Sequence, residues 1–141
     1  MALDSIFGIA GTALNAQLTR MNATASNLAN AGTVSSTEKD AFRAKRPVFQ
    51  ALVDEQMTHA GAAYVGGVKV AKIADDAAPP QRVADPKNPL ADKDGYVYKS
   101  NVSEVTEMVE MMAAARSYQN NVEVINTARQ LMMRTLDITK A

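Results

Sequence analysis

The chain has 141 residues, enough for one domain or for one domain with long arms. Fifteen basic and fifteen acidic side chains cancel, which argues against a broad surface for nucleic acid or anionic lipid. The absence of cysteine and the single histidine exclude a disulfide framework, a thiolate metal site and a cysteine nucleophile, and leave little for a histidine relay.

The first element is a helix over residues 1–31. Neither glycine nor proline occurs between Thr12 and Ala31. A stripe of Phe7, Gly11, Leu14, Leu18, Met21, Ala25 and Leu28 recurs in alternating steps of four and three, the spacing of a seam against a partner helix. Its other side carries Asn15, Gln17, Thr19, Asn22, Thr24, Ser26, Asn27 and Asn30 and almost no charge. A freely solvated helix usually wears Lys and Glu there. Neutral amides can hydrogen-bond between packed helices without the desolvation cost of ions, so this face reads as buried against other subunits. Alanines at 10, 13, 16, 23, 25, 29 and 31 permit close helix approach. Asn30-Ala31-Gly32 reads as the helix end, with glycine in the position that often turns left-handed. The start has no basic segment before an unbroken apolar run, so it does not read as a secretory leader.

The middle, residues 32–100, holds all five prolines. Its opening stretch, Gly32–Lys45, is polar and reads as mobile. Pro47–Glu55 and Val68–Ile73 have strand composition, with Gly66-Gly67 as a turn before the second. Asp94-Gly95 is a hairpin-type turn before Tyr96-Val97-Tyr98. Three or four short strands follow from this.

The last element, 101–141, is a long helix. Asn101 stands as its cap, with Glu104 at capping-box spacing. Acids Glu104, Glu107 and Glu110 near its start and bases Arg129, Arg134 and Lys140 near its end suit the helix dipole. Its stripe runs Met108, Met111, Ala115, Tyr118, Val122, Ile125, Arg129, Met132, Leu136. The fold class is therefore mainly α with a small β middle, and the two terminal helices are expected to pair as an antiparallel coiled coil.

Chemistry is sparse. Asp92-Lys93-Asp94-Gly95 lacks the later ligands of a calcium loop and reads as a turn. Asp75-Asp76 has no third ligand nearby, and His59 reads as exposed. Lys39, Arg43, Lys45 and Arg46 interleave with Phe42, but Glu38 and Asp40 dilute the patch. There is no phosphate loop and no serine elbow. No catalytic residue, metal site or cofactor is expected.

Several runs carry a resemblance. Ala25-Ser26-Asn27-Leu28-Ala29-Asn30, closing a neutral amphipathic helix, resembles the signature of the bacterial flagellar rod and hook proteins. The same family is suggested by Asn88-Pro89-Leu90-Ala91-Asp92, Gly95-Tyr96-Val97, Glu107-Met108-Val109, Arg116-Ser117-Tyr118-Gln119 and Asn121-Val122-Glu123-Val124-Ile125-Asn126-Thr127, and by Arg43–Gln50. The short length fits its rod members. The resemblance implies a structural, non-enzymatic subunit of the proximal rod, the shaft that transmits torque across the periplasm. The terminal helices would form an inner coiled-coil layer, with Leu14, Leu18, Met21, Leu28, Tyr118, Val122, Ile125, Met132 and Leu136 in the seam within and between chains. Asn27 and Asn30 would fix the helix end and its neighbours. The implied partners are other copies of the chain, neighbouring rod proteins and the flagellar type III export apparatus, with export that needs no cleaved signal. Neither nucleic acid nor a small-molecule substrate is implied. Phe49-Gln50-Ala51-Leu52-Val53 resembles the phenylalanine-plus-aliphatic motif that engages the export gate, although Phe49 and Val53 packed in a strand would look the same. A soluble coiled-coil adaptor with a β head stays open on composition, as does another rod paralogue.

Overall fold

The computed structural model describes residues 2–52 and 66–139. Helix α1 spans Ala2–Asn30, and five strands follow: β1 Val34–Ser35, β2 Lys45–Ala51, β3 Val68–Asp75, β4 Gln81–Ala84 and β5 Tyr96–Lys99. Helix α2 spans Glu104–Thr139. The strands make a three-stranded sheet ordered β1-β5-β4 and a two-stranded ladder of β2 with β3. No described helix is long and apolar enough to cross a membrane.

The residues gather into two units. Residues 20–47 and 73–112 form a sheet unit; residues 1–19, 48–72 and 113–141 form a terminal unit. Four elements, α1, β2, β3 and α2, contribute to both.

In the sheet unit, β5 pairs antiparallel with β1 (Val34↔Lys99) and with β4 (Val83↔Val97). Val97 is buried, and Ala31, Ala44 and Val102 cluster with Phe42 packed against them. Gly95 takes φ +80°, which an L side chain rarely adopts, and an added Cβ would lie 3.1 Å from Pro86. Asp92 accepts hydrogen bonds from the backbone N–H of Asp94 and Tyr96, 2.9 Å each, so the Asp92–Gly95 segment is a closed turn. The Arg82 guanidinium lies 3.8 Å from the centre of the Tyr96 ring.

Three local expectations are corrected here. Gly32 does not adopt a left-handed conformation; α1 closes by the tighter bonds Ala31 N–H to Leu28 O and Thr33 N–H to Asn30 O, with the Thr33 hydroxyl donating to Asn30 O at 2.7 Å. The cap of α2 is Ser103, whose Oγ accepts from the Thr106 N–H. Asn101 is drawn elsewhere: its Oδ1 accepts from Ala44 N–H at 2.8 Å and its Nδ2 donates to Ala78 O at 2.7 Å. Finally, the polar stretch after α1 is not loose. It contributes β1, and buried Ala41 and Ala44 anchor it, because small side chains let the backbone approach the core where a hydrophobic run is missing. Strand β4, exposed along its length, was not legible as a strand.

Among the described residues of the terminal unit the buried hydrophobic ones are alanines: Ala10, Ala16, Ala114 and Ala128. Thr12 ties α1 to β3. Its hydroxyl donates to Ile9 O at 2.7 Å and accepts from Val68 N–H at 3.1 Å. Gly66 and Gly67 have φ +95° and +133°, and a Cβ on Gly67 would sit 2.8 Å from the Thr12 hydroxyl. Both glycines precede β3 in a backbone conformation that side chains rarely adopt, and at Gly67 only a hydrogen fits; the residues before Gly66, where the expected turn would begin, lie outside the described residues.

Candidate functional site

Asn27, inside the six-residue run at the end of α1, is wholly buried in the sheet unit. Its Oδ1 accepts from Lys45 N–H at 2.7 Å, and its Nδ2 donates to Lys45 O at 3.0 Å. A helix side chain thus pairs with β2 as a neighbouring strand would, satisfying both backbone groups of one residue. The second Nδ2 hydrogen goes to Glu107 Oε2 on α2, at 3.0 Å. Every hydrogen-bonding group of the amide is engaged except one lone pair. Asn30 behaves differently. It makes a local bond, Nδ2 to Ser26 O at 2.8 Å.

Glu107 is also wholly buried. Its Oε1 lies 2.7 Å from Arg46 Nη1, an ion pair without the alignment of a hydrogen bond, and Arg46 reaches Asp76 Oδ2 at 3.4 Å from the same nitrogen-rich fork. One cation therefore stands between a buried and a partly exposed carboxylate. The Ala78 N–H donates to the Asp76 carboxylate, and this bond, with the nearby guanidinium, holds Asp76 below the usual carboxylate range against the opposing effect of its partial burial. Lys45 pairs with Asp75, and Asp76 N–H bonds Ala44 O at 2.8 Å, so consecutive residues clip the start of β2 to the end of β3. Arg20 and Glu110 form a further ion pair between α1 and α2. The basic residues around Phe42 are thus largely spent on internal pairs, including Arg43 with Glu38 at 3.7 Å.

The runs that carry the family resemblance include Asn27, Lys45, Arg46 and Glu107, but nothing in the sequence joins them into one contact, and the spacing of Glu107 suggests only an acid suited to the start of α2. Glu107 lies on a row with Ala114, Asn121 and Ala128, seven residues apart, and that row is the most buried one on α2. Following it would have exposed a charged residue in a buried seam.

The seam itself is displaced from the stripe drawn on the sequence. On α2, Met111, Tyr118, Ile125 and Met132 are half-buried, while Met108, Val122 and Leu136 are exposed. On α1, Ala10, Ala16, Ala23, Thr24 and Asn27 are buried; Leu14, Met21 and Leu28 are half-buried; and Leu18 is 47% exposed. One residue turns a helix face by about 100°, so small and polar residues can take the intrachain contact and leave an apolar row outside. The outward face of α1 comprises Gly11, Asn15, Leu18, Asn22, Ala25 and Ala29, without a charge. Around the start of α2, Val105, Met108, Val109 and Met112 are all more than half exposed. Of the neutral face expected against other subunits, Asn15, Asn22 and Ser26 are exposed on a single chain, Gln17, Thr19 and Asn30 are half-buried, and Thr24 and Asn27 are buried. Phe49 lies in β2 and is 38% exposed; Val53 and His59 lie outside the described residues. Among the described residues, no group of three His, Asp or Glu side chains is placed to hold a metal ion.

Among the described residues this arrangement offers no reaction centre. It offers a strand anchored between two helices, an uncharged outward face on α1 and an exposed apolar patch at the start of α2, both suited to further packing. Two family models match the chain: "Flagella basal body rod protein" over residues 7–34 and "Flagellar basal body rod FlgEFG protein C-terminal" over residues 93–138. The chain is 50% identical over 138 residues to the flagellar basal-body rod protein FlgC of Escherichia coli O6:H1, covering 98% of each. The FlgC protein of Salmonella typhimurium is 50% identical over the same shares, and that of Bacillus subtilis 34% identical over 94% of this chain and 95% of its own.

Proposed function

This chain belongs to the flagellar basal-body rod protein family, among its FlgC members, and on that premise we propose that it is a structural subunit of the proximal rod. It has a mechanical role and no enzymatic one. The observation that carries this reading is likeness over nearly the whole length, both terminal helices included.

The finer reading concerns how the subunit is built and delivered. Helices α1 and α2 pair antiparallel. What supports this is the order of their contacts in the sheet unit: from Asn27 back to Arg20 on α1, the partner moves forward from Glu107 to Glu110 on α2. The paired helices form the rod's inner layer, and the uncharged outward face of α1, with the exposed apolar residues at the start of α2, packs against other copies and against neighbouring rod proteins. Dense helix contacts of this kind carry torque along the shaft across the periplasm. The subunit reaches that place through the type III export apparatus without losing a leader, and the exposed Phe49 on β2 is the residue we assign to the export gate together with Val53.

The test is to isolate hook–basal bodies from cells carrying a tagged, functional copy. The tagged chain should remain with the rod after detergent has stripped the membranes. A functional copy absent from purified basal bodies would overturn the assignment. For delivery, Phe49→Ala should lower the amount exported; normal export with failed assembly would remove the gate role.

A further inference from the structure

We propose that Glu107 is a positioning residue that makes docking of β2 and packing of the two helices a single event. Its Oε2 holds the Asn27 amide in the orientation that reads the Lys45 backbone, and its Oε1 requires the Arg46 guanidinium.

Neighbouring residues of β2 are held in different ways. Asn27 reads the backbone of Lys45, which any side chain would present. Glu107 reads the side chain of Arg46, which is specific. With β2 absent, closing the helices here would bury a carboxylate without a cation, a costly arrangement. With β2 present but Glu107 absent, the Asn27 amide loses the acceptor for its second hydrogen. Other residues on the same row of α2, Ala114 and Ala128, are buried as alanine, so this row does not need a charge in order to pack. The charge at 107 matters because of what it faces.

The arrangement makes the effect of one substitution depend on another. In Glu107→Gln the carboxamide has one acceptor and one donor end. Pointing the oxygen at Asn27 turns the NH2 toward Arg46, and pointing it at Arg46 turns the NH2 toward the Asn27 NH2. Either choice sets donor against donor, so the variant is damaging while Arg46 is present. In an Arg46→Met background the requirement reverses. A carboxylate at 107 is then buried and unpaired, whereas glutamine is neutral and still accepts from Asn27.

The experiment is amide hydrogen exchange on the purified full chain, read at Lys45, whose N–H donates to Asn27, with Ser100, whose N–H donates to Thr33 O, as a reference in the three-stranded sheet. Four chains are compared: unaltered, Glu107→Gln, Arg46→Met and the double variant. Glu107→Gln should lower Lys45 protection by about tenfold or more, and should lower Ser100 protection less. Arg46→Met should lower Lys45 protection further, and adding Glu107→Gln should raise it again. If Arg46→Met unfolds the unit, protection should return in the double variant. Losses that simply add, a double variant no better than Arg46→Met, equal losses at Lys45 and Ser100 in Glu107→Gln, or an unprotected Lys45 amide in the unaltered chain would each overturn the proposal. It stands apart from the identity of the chain's assembly partners, because every readout is taken on the isolated subunit.

Discussion

Replacing Asn27 by alanine removes three hydrogen bonds at once, of 2.7, 3.0 and 3.0 Å, the last to a carboxylate. Lys45 N–H and C=O lose their partner at a half-buried position, at about 1 kcal/mol each, because water can partly replace the amide. Glu107 is fully buried and loses one donor but keeps Arg46, a further loss of about 1.5 kcal/mol. The sum, about 3 to 4 kcal/mol, is a large fraction of the roughly 5–15 kcal/mol by which domains are stable. Asn30→Ala, three residues away in the same run, removes only the bond to Ser26 O in an exposed setting and should cost within about 0.5 kcal/mol. Urea unfolding of the two variants beside the unaltered chain, followed by circular dichroism at neutral pH, measures both. With a slope of about 1–3 kcal/mol per molar, Asn27→Ala should move the midpoint by more than about 1 M. A loss for Asn27→Ala no greater than for Asn30→Ala would refute the strand-anchor reasoning.

Three further expectations follow from the same contacts. Gly67→Ala should destabilise by more than about 1 kcal/mol, since φ +133° and the 2.8 Å approach to Thr12 both oppose a side chain, and adding Thr12→Ala should recover only part of the loss in urea unfolding. Asp76 has a folded-state pKa below its ordinary 3.8, so its stabilisation is present above that value and is lost as pH falls through the lower folded value. A pH series of unfolding midpoints should therefore decline more steeply on the acid side for the unaltered chain than for Asp76→Asn, and identical acid limbs would contradict the assigned role. Leu18→Asp on the open face of α1 should leave the isolated chain within about 0.5 kcal/mol of its normal stability yet abolish swarming in soft agar; full swarming would show that this face meets no neighbour.

Much of the architecture was legible in the sequence because it rests on local rules. Helix bounds followed from the distribution of glycine and proline, and the turn at Gly95 from a residue that alone tolerates its backbone angle. What escaped was set by distant partners. Asn101 could have capped α2, but the Ala44 N–H and Ala78 O compete for the same side chain and win. The stripe through Leu18 and Val122 has seam periodicity, yet alanines and the Asn27–Glu107 pair take the interior row, because close backbone approach and a satisfied polar contact are available only there. Amphipathic spacing identifies a face that will be covered. It does not say whether the cover comes from the same chain or from another, which is why Leu18 could be drawn into the seam within the chain and Asn27 onto a face for other subunits. The role of Glu107 was hidden for the same reason: an acid near a helix start satisfies the dipole rule and gives no hint of the guanidinium it meets.

The central claim is that this chain is a structural element of the rod. Electron microscopy of basal bodies from a strain lacking the gene, beside one complemented with the intact chain, tests it most directly. The account predicts membrane rings without a completed rod in the first and whole rods in the second. Normal rods and hooks in the deletion strain, with no second flagellar system to supply a substitute, would contradict it.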